Sequence, residues 1–518
     1  MRPVKVHVRA RPLKAMMRIK AIINSTEFKL FLTIWIVYAV YVTPAGGVTP
    51  NRYVDLVHSI VNEGRFTIDT YHENTIDKSY YNGHYYAGAL PGPAFLAVPA
   101  YVVFKGVYAL VPQSIKNSAS GVQSYKKDKQ PNSSFYGSVD NVEFFLSQVF
   151  LNLTVLAPFS ALGGLLLFKT IRRLGYDAGI ALTVTILYAF GSIVFFYSTV
   201  FFEQVFSATL GIAAFYLVLG TIQSSGNEYR SSLVFSAGLL AGCGLLVEYT
   251  TIFIGGWLGL WLLLTVHRRQ IIFFAMGFLI PIAVLMAYDY VLFGNPLDTP
   301  YAHLIQVHES VHGIGFFGAT YPRLERFLGL LVGPERGLFL FMPITMVGLL
   351  GVAWSIWKRR LQALPALICA GIFGFYLLFF SSFTNWRGGS AFGPRYFIAP
   401  LPFLFIGVAF AFDFFPRVLI YILGAFSILI NWAGAQFGFA GSPLEHIRNV
   451  VAQGPTLPIF GAILTHSTSH ESGTYLFAAR YHSAITIVIT IVLVAIASWA
   501  FRRAYGRKNK EVYLGQEA

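Results

Sequence analysis

The sequence predicts an all-α polytopic membrane protein, and its hydropathy, low charge and long apolar segments carry that prediction. The mean hydropathy of the 518 residues is +0.60, and 12% of them are charged against 55% that are hydrophobic. A soluble protein carries about 25% charged residues. The apolar segments are continuous and not alternating, which excludes a transmembrane β-barrel.

Thirteen apolar segments approach or exceed the roughly 20 residues that a helix needs to cross a bilayer. We predict them at 28–44, 93–112, 142–168, 178–200, 204–222, 232–248, 249–266, 271–291, 337–356, 363–382, 396–412, 418–436 and 482–501. Thirteen crossings would place the two basic termini on opposite sides, so we expect one segment not to cross fully. Pro91, Pro93 and Pro99 favour a broken or re-entrant helix at 93–112.

The basic residues cluster at the N terminus, in the tail and in the short loops “KTIRRLG”, “HRRQ” and “WKRR”. By the positive-inside rule these segments are cytoplasmic, so the net charge of +15 does not indicate a nucleic-acid partner. We predict a basic cytoplasmic N terminus (1–27), a polytopic transmembrane domain (28–501) and a basic cytoplasmic tail (502–518). The extracytoplasmic loops are then 45–92, 292–336, 383–395 and 437–480, while the side of loop 113–141 stays open.

The first extracytoplasmic loop begins with the pattern of an amphipathic helix. In “TPNRYVDLVHSIVNEG”, residues 49–64, Thr49 can cap the helix and Gly64 can end it. Apolar residues recur at the spacing of one helical face: Tyr53, Leu56, Val57 and Ile60. We expect a helix on the membrane surface that presents Asp55 away from the bilayer. The alternative is an anchor in which Asp55 pairs with Arg52.

Two acidic residues lie at the ends of predicted spans, Glu203 in “STVFFEQ” and Glu248 in “LLVEYT”. An acidic residue within the bilayer costs about 3 kcal/mol unless it is compensated. If the basic loops are cytoplasmic, both residues lie at the outer ends of their helices. There they can line one cavity together with Asp55.

Two arginines fall on the outer side, against the positive-inside rule. The segments “GPERGLF” and “NWRGGSAFGPRYFIAPLPF” place Arg336 and Arg395 just before spans. Guanidinium groups beside glycine and proline suit the binding of a lipid phosphate. The alternative is anchoring to lipid headgroups.

Several motifs are excluded or absent. The “GIGFFG” match at 313–318 lacks a surrounding βαβ unit, which argues against dinucleotide binding. There is no Walker loop and no G-x-S-x-G elbow. The pairs His308-Glu309 and His470-Glu471 lack the second histidine of a zinc-protease helix. Whether a divalent metal ion assists the reaction stays open.

These features together resemble the GT-C-fold integral membrane glycosyltransferases, in the protein mannosyltransferase and aminoarabinose transferase-like group. The resemblance is carried by “RYVDLVHSIVNEG”, “YNGHYYAGALPGPAFLAVPAY”, “LLVGPERGLFLFMP” and “WRGGSAFGPRYFIAPLPF”, and it covers residues 28–412. It implies a GT-C-like bundle of about 12–13 transmembrane helices with an interfacial helix in the first extracytoplasmic loop. It also implies a multi-pass protein of the cell inner (cytoplasmic) membrane.

Membership in that group implies inverting transfer of a sugar from a polyprenyl-phosphate donor to an extracytoplasmic glycan, lipid or protein acceptor. A first-loop carboxylate would act as the base. The relatives carry an Asp-Glu pair just ahead of the “RY” helix, whereas this chain has “TPN” there, with Asn51 near the place of the acid. The candidate bases are therefore Asp55, ranked first, and Asp69 and Asp77 in the repeated “TID”.

The other candidate site residues follow from their positions in the sequence together with the resemblance. Basic side chains would hold the leaving phosphate: Arg336, Arg395 and Arg52. The loop from Phe66 to Pro93 would cover the cavity, with tyrosines against the sugar ring, whereas a tyrosine-rich interfacial belt is the alternative. Predicted cavity-lining or acceptor residues are Tyr71, His72, His84, Tyr85, Glu203, Glu248 and His303.

Two other functions are open. A lipid-linked sugar transporter or flippase would need polar residues near the middle of the bilayer and repeated halves. The chain has no such repeat, and its polar residues concentrate on one face. A non-catalytic subunit of an envelope polysaccharide assembly could keep the same fold without the chemistry.

Overall fold

The computed structural model describes residues 25–43, 47–113, 141–223, 231–266, 268–305, 318–358, 362–438, 441–466 and 473–514. Most of the predicted basic N terminus, most of loop 113–141 and the last residues of the predicted tail lie outside these ranges. Most of “GIGFFG” lies outside them as well.

The described chain is a helical bundle with one small β-hairpin. Its first part contains α1 (Thr26–Val40), α2 (Val48–Glu63), β1 (Lys78–Tyr81), β2 (His84–Ala87), α3 (Gly92–Ala109), α4 (Asn141–Leu151), α5 (Ala157–Arg173), α6 (Ala178–Phe190) and α7 (Val194–Tyr197). Its middle contains α8 (Glu203–Ile222), α9 (Ser231–Val247), α10 (Ile252–Thr265) and α11 (Arg268–Phe293). The remainder contains α12 (Leu324–Val332), α13 (Leu338–Phe341), α14 (Ile344–Trp357), α15 (Ala363–Ser382), α16 (Leu401–Ala411), α17 (Arg417–Phe437), α18 (Pro443–Gln453), α19 (Pro458–His466) and α20 (Gly473–Leu514).

The membrane-spanning character predicted from hydropathy is confirmed. Within the described ranges, seven helices are long and apolar enough to cross a membrane, and five shorter helices are also apolar. Together with α1, these helices coincide with all thirteen predicted segments.

The prediction of a broken helix at 93–112 is wrong. Helix α3 runs without interruption from Gly92 to Ala109. Pro91 precedes the helix and Pro93 lies in its first turn, where the backbone N–H has no helical partner to lose. Pro99 alone lies in the helix interior, and the helix continues through it.

Glycines allow helices α9 and α11 to pack with their backbones in contact. A Cβ at Gly238 would collide with the carbonyl group of Phe274, and one at Gly242 with that of Phe278. The two glycines are four residues apart and so lie on one face of α9. Such small-xxx-small spacing is typical of close helix packing within membranes, where no hydrophobic effect drives helices together.

Both faces of helix α2 are covered. It begins at Val48 and not after a Thr49 cap, and it ends at Gly64 in the left-handed conformation (φ 67°), as predicted. Every residue from Pro50 to Ser59 is buried. The expected surface helix with a solvated polar face is therefore wrong, because the rest of the first loop packs over that face.

The polar loop after α2 forms a β-hairpin. Strands β1 and β2 pair antiparallel around a turn at Asn82 (φ 48°) and Gly83 (φ 86°). An Asn-Gly turn suits the positive φ values of a tight hairpin. The Ser79 hydroxyl donates to the Pro300 carbonyl (2.6 Å), and the Ile305 N–H donates to the Lys78 carbonyl (3.2 Å). The hairpin thereby attaches the first loop to the segment after α11.

We expect Gly238→Ala to lower the melting temperature in detergent, because the added methyl group collides with backbone atoms that cannot rotate away. Overpacking of this kind costs about 1–3 kcal/mol. The matched control is Gly256→Ala in α10, where nothing lies within 4 Å of the new Cβ. Equal melting temperatures for the two variants would contradict the close packing of α9 on α11.

Candidate active site

A cavity of about 490 Å³ lies where the ends of α8, α9 and α15 meet the first loop and the segment after α11. Its charged lining residues are Arg52, Asp77, Glu203, Glu248 and Arg395. Its aromatic lining residues are Tyr249, Tyr301, Phe379, Phe380, Phe383 and Tyr396. Two cations and three acids therefore converge on one space with apolar walls.

Arg52 is the centre of the charged cluster. Its guanidinium donates to the Gly88 carbonyl (3.2 Å) and the Tyr53 hydroxyl (3.1 Å). It also lies 3.4 Å from Glu203 Oε1 and 3.5 Å from Asp77 Oδ2. Burial opposes the charge, but Tyr53, Glu203 and Asp77 outweigh burial and raise the pKa of Arg52 above its ordinary value. The side chain therefore stays cationic.

Asp77 lies at the junction between the first loop and β1. Its Oδ2 accepts a hydrogen bond from the Thr49 hydroxyl (2.8 Å), and its backbone N–H donates to Thr75 Oγ1 (3.0 Å). The side chain is largely buried yet contributes to the cavity wall. Of the three carboxylates predicted as bases, Asp77 alone is among the described residues that line the cavity.

Glu203 and Glu248 both line the cavity. Glu203 begins α8 and Glu248 follows the last residue of α9. The Gln204 amide donates to Glu203 Oε1 (2.7 Å), and the Thr250 hydroxyl donates to Glu248 Oε1 (2.6 Å). The Oε2 atom of each glutamate is buried and has no hydrogen-bond partner within the described part of the chain.

Arg395 faces Arg52 from the far end of the sequence. Its guanidinium carbon lies 5.4 Å from the Tyr396 ring centre and 5.6 Å from that of Phe202. Tyr396 in turn stacks on Phe380, with ring centres 4.3 Å apart. The Nε atoms of both arginines are buried without a hydrogen-bond partner among the described residues.

Asp55 does not face outward. Its side chain is 0% exposed, and the Asn74 side-chain amide donates to its Oδ1 (2.9 Å). Burial raises the pKa of Asp55 well above its ordinary value of 3.8, against the effect of the Asn74 hydrogen bond. The expectations that Asp55 is presented on an exposed helix face and shares a cavity with Glu203 are therefore wrong, as is the alternative pairing with Arg52. The helix face that carries Asp55 is covered by residues 74–77.

The remaining first-loop candidates stabilise the loop itself. Asp69 accepts hydrogen bonds from the Tyr85 N–H (2.7 Å) and pairs with His84 (2.8 Å). Partial burial opposes these two contacts, which nevertheless lower the pKa of Asp69. His72 stacks on Tyr85, with ring centres 4.0 Å apart, and the Tyr71 hydroxyl accepts from Asn62 (3.1 Å). The structure does not place these five side chains at the cavity wall: four of them contact one another, and Tyr71 contacts Asn62 of α2.

Arg336 and His303 are also absent from the cavity lining. The Arg336 guanidinium donates to the backbone carbonyls of Glu335 (2.7 Å), Gly389 (2.6 Å) and Arg387. Arg336 therefore attaches the loop before α16 to residues 335–336, next to the cavity. His303 lies between aromatic rings, 4.6 Å from that of Phe293, and its Nε2 is 2.9 Å from Asp298 Oδ2.

Sequence reasoning missed the aromatic wall. Tyr301 and Tyr396 line the cavity, and Phe380 supports Tyr396. Tyr396 follows Arg395 directly in the quoted segment, which could have indicated it. Nothing in the local sequence distinguishes Tyr301 or Phe380 from the many other aromatic residues.

Metal ligation was left open by the sequence. Among the described residues, no group of three or more His, Cys, Asp or Glu side chains is placed to hold a metal ion. We therefore derive no step through a metal.

The identity of the family follows from comparison with known proteins. The model of the Alg9-like mannosyltransferase family matches residues 102–384, which is more than half of the chain. The chain belongs to the Alg9-like mannosyltransferase family. It is accordingly a multi-pass membrane glycosyltransferase, and the suspected GT-C relationship is confirmed. Membership favours an enzyme over the transporter alternative.

One solved structure supports the fold of this Alg9-like family member. ArnT from Cupriavidus metallidurans, bound to undecaprenyl phosphate, is 14% identical over 95% of this chain and 79% of ArnT, with a TM-score of 0.51. The oligosaccharyltransferase of Archaeoglobus fulgidus, in complex with Zn and sulfate, is 15% identical over 88% and 61% of the two chains, with a TM-score of 0.46. At this identity, the similarity to ArnT shows the fold alone. In a sequence comparison, no curated protein matches the chain.

We expect Asp55→Asn to reduce the loss of folding stability that the wild-type protein undergoes as the pH rises. Below the ordinary pKa of 3.8, the aspartate is protonated in both the folded and the unfolded state. Above it, the unfolded chain ionises while the buried carboxyl keeps its proton. The wild type then loses about 1.4 kcal/mol per pH unit until the raised folded pKa is reached. Melting temperatures of the two proteins should therefore diverge as the pH rises above the ordinary pKa of 3.8, and parallel curves would contradict a protonated Asp55.

Proposed function

We propose that the cavity binds a sugar linked to polyprenyl phosphate and that the protein transfers this sugar, with inversion, to an acceptor hydroxyl on the extracytoplasmic face. The observation that carries the proposal is the convergence of Arg52, Arg395 and Asp77 on one cavity. That set supplies two cations for a phosphate and one carboxylate for a proton. The proposed acceptor is a glycan, a lipid or a protein.

The two guanidinium groups suit a phosphate. Both side chains line the cavity, so each guanidinium group can present its positive charge to a phosphate there. Hydrogen bonds between guanidinium and phosphate are among the strong ones because both partners are charged. Stabilising the leaving phosphate here would lower the barrier to transfer.

The apolar wall suits the lipid part of the donor. Leu245 and Ile252 line the cavity and belong to α9 and α10, which are among the apolar helices. Phe379 at the end of α15 adds to this wall. A ligand can therefore keep its phosphate between the arginines while its hydrocarbon chain remains at membrane depth.

Asp77 is the base that the geometry favours. Its carboxylate would take the proton of the acceptor hydroxyl as that oxygen bonds to the anomeric carbon. The bond from the anomeric carbon to the phosphate oxygen breaks in the same displacement, and the phosphate leaves with the electron pair. Attack from the side opposite the leaving group inverts the anomeric configuration. Asp55 is sealed from the cavity, and Asp69 serves the hairpin.

The position of the basic residues supports an extracytoplasmic site in the inner membrane. Arg173 of the loop “KTIRRLG” donates to the Tyr216 carbonyl in α8 (3.0 Å). Tyr216 lies about 20 Å along this helix from Glu203, at 1.5 Å per residue. The cavity and the basic loop are thus at opposite ends of α8, and the positive-inside rule assigns the basic end to the cytoplasm. The predicted division into basic termini and the domain 28–501 fits this orientation.

We expect Asp77→Asn to reduce sugar transfer about 100-fold or more, since general-base catalysis contributes at least that much. The protein would be held in nanodiscs and supplied with a panel of radiolabelled polyprenyl-phosphate sugars. Binding of the donor should persist, because the arginines are intact. Asp69→Asn is the control and should keep transfer near the wild-type rate. If Asp77→Asn transfers normally, Asp77 is not the base.

Arg395→Gln should weaken donor binding about tenfold or more, because a hydrogen bond to a charged group is lost. The control is Arg387→Gln in the same loop, which removes an exposed ion pair with Glu335 (3.1 Å). That variant should bind as the wild type does. If the wild type binds no donor of the panel, a polyprenyl-phosphate substrate is refuted.

A further inference from the structure

A buried polar network joins helix α2 to the segment 74–77 that precedes and includes Asp77. The Asn74 amide donates to Asp55 Oδ1 (2.9 Å), and the Asn51 amide donates to the Asn74 backbone carbonyl (2.7 Å). From α4, the Gln148 amide donates to Asn51 Oδ1 (2.6 Å). All four side chains belong to residues that are at least 95% buried. The network therefore has almost no surface open to bulk solvent or substrate.

The network continues to Asp77 through Thr75. The Thr75 hydroxyl donates to the Val48 carbonyl (2.8 Å) and accepts from the Asp77 N–H (3.0 Å). Thr49 donates to Asp77 Oδ2 (2.8 Å). Both ends of the segment 74–77 are thus attached to the first two turns of α2, the helix that also carries Arg52.

We propose that Asp55 is a positioning residue for the transfer reaction: by holding Asn74, it fixes the segment 74–77 against α2 and so directs the Asp77 carboxylate into the cavity. This inference rests on the proposed role of Asp77 as the base. Asp55 has no exposed surface and does not contribute to the cavity lining, so it contacts no substrate.

The positioning role requires an oxygen acceptor at Asp55 and does not require a base. Asparagine keeps that acceptor for the Asn74 amide, and its nitrogen replaces Oδ2, an atom without a partner among the described residues. Leucine has a similar shape but no acceptor, so it leaves the Asn74 amide buried and unsatisfied. A catalytic base, by contrast, cannot be replaced by asparagine.

The first test compares Asp55→Asn, Asp55→Leu and Asn74→Leu in the transfer assay, with the labelled donor that the wild type binds best. Asp55→Asn should keep kcat within about threefold. Each leucine variant should lower kcat about tenfold or more, since misplacing a catalytic group by about 1 Å can cost 100-fold. The KM for the donor should change little, because Arg52 and Arg395 remain. The double leucine variant should be no slower than either single one, because both break the same contact.

Two results would overturn the inference. If Asp55→Asn is as inactive as Asp77→Asn, Asp55 acts as a base. If Asp55→Leu keeps the wild-type kcat, the network does not position Asp77. If Asp55→Leu does not fold, Thr75→Val is the deciding variant. It removes only the hydroxyl that accepts a hydrogen bond from the Asp77 N–H. That variant should lower kcat without weakening donor binding, and an unchanged kcat counts against the proposal.

A second test is independent of the donor. In an Asp77→Cys background, the rate at which a water-soluble methanethiosulfonate reagent labels the new thiol reports how residue 77 is held. Asp55→Leu should raise the labelling rate about threefold or more and Asp55→Asn should not, because a released segment samples more orientations. Equal rates would refute positioning even if transfer proceeds. A changed rate without any donor binding would refute the proposed function alone.

Discussion

The buried guanidinium of Arg52 is the interaction on which the rest of the site depends. A charge taken out of water is costly unless it is paired and hydrogen-bonded, so the groups around it are constrained together. Arg52 contacts the carbonyl of Gly88, the carboxylates of Asp77 and Glu203 and the hydroxyl of Tyr53. The Arg52 side chain therefore joins helix α2 to the two residues that flank the hairpin and to the start of α8.

The approach of these segments requires close backbone contact at Gly88. A Cβ at this position would lie 2.9 Å from the backbone of Asp77 and 2.6 Å from the Leu304 side chain. A larger residue at position 88 would move the backbone carbonyl that Arg52 binds away from the Asp77 carboxylate that Arg52 also contacts. Strand β1 of the hairpin contacts the segment 300–305, and this contact completes the cavity wall on that side.

The helical bundle holds the residues that line the cavity in fixed positions. Glycines in α9 and α11 let the helices pack backbone to backbone, and α8 and α9 then present Glu203 and Glu248 at the same level. Arg395 arrives from the loop before α16, supported by the stacked rings of Tyr396 and Phe380. A rigid apolar scaffold with polar loops at one end is a common arrangement for binding and catalytic residues. Here it produces a cavity that combines apolar walls with a charged end.

The sequence alone determined the membrane bundle, the segments that form its helices and the residue types gathered at one end, because hydropathy and charge act on each segment separately. The Asn82-Gly83 pair is also a local sequence signal for the hairpin turn. Only the tertiary structure decided which of the first-loop aspartates faces the cavity. The spacing in α2 fixes the direction of Asp55 about the helix axis, but it does not say what covers that face. Residues 74–77 cover it, so Asp55 became an internal contact and Asp77, whose direction depends on long-range contacts, entered the cavity.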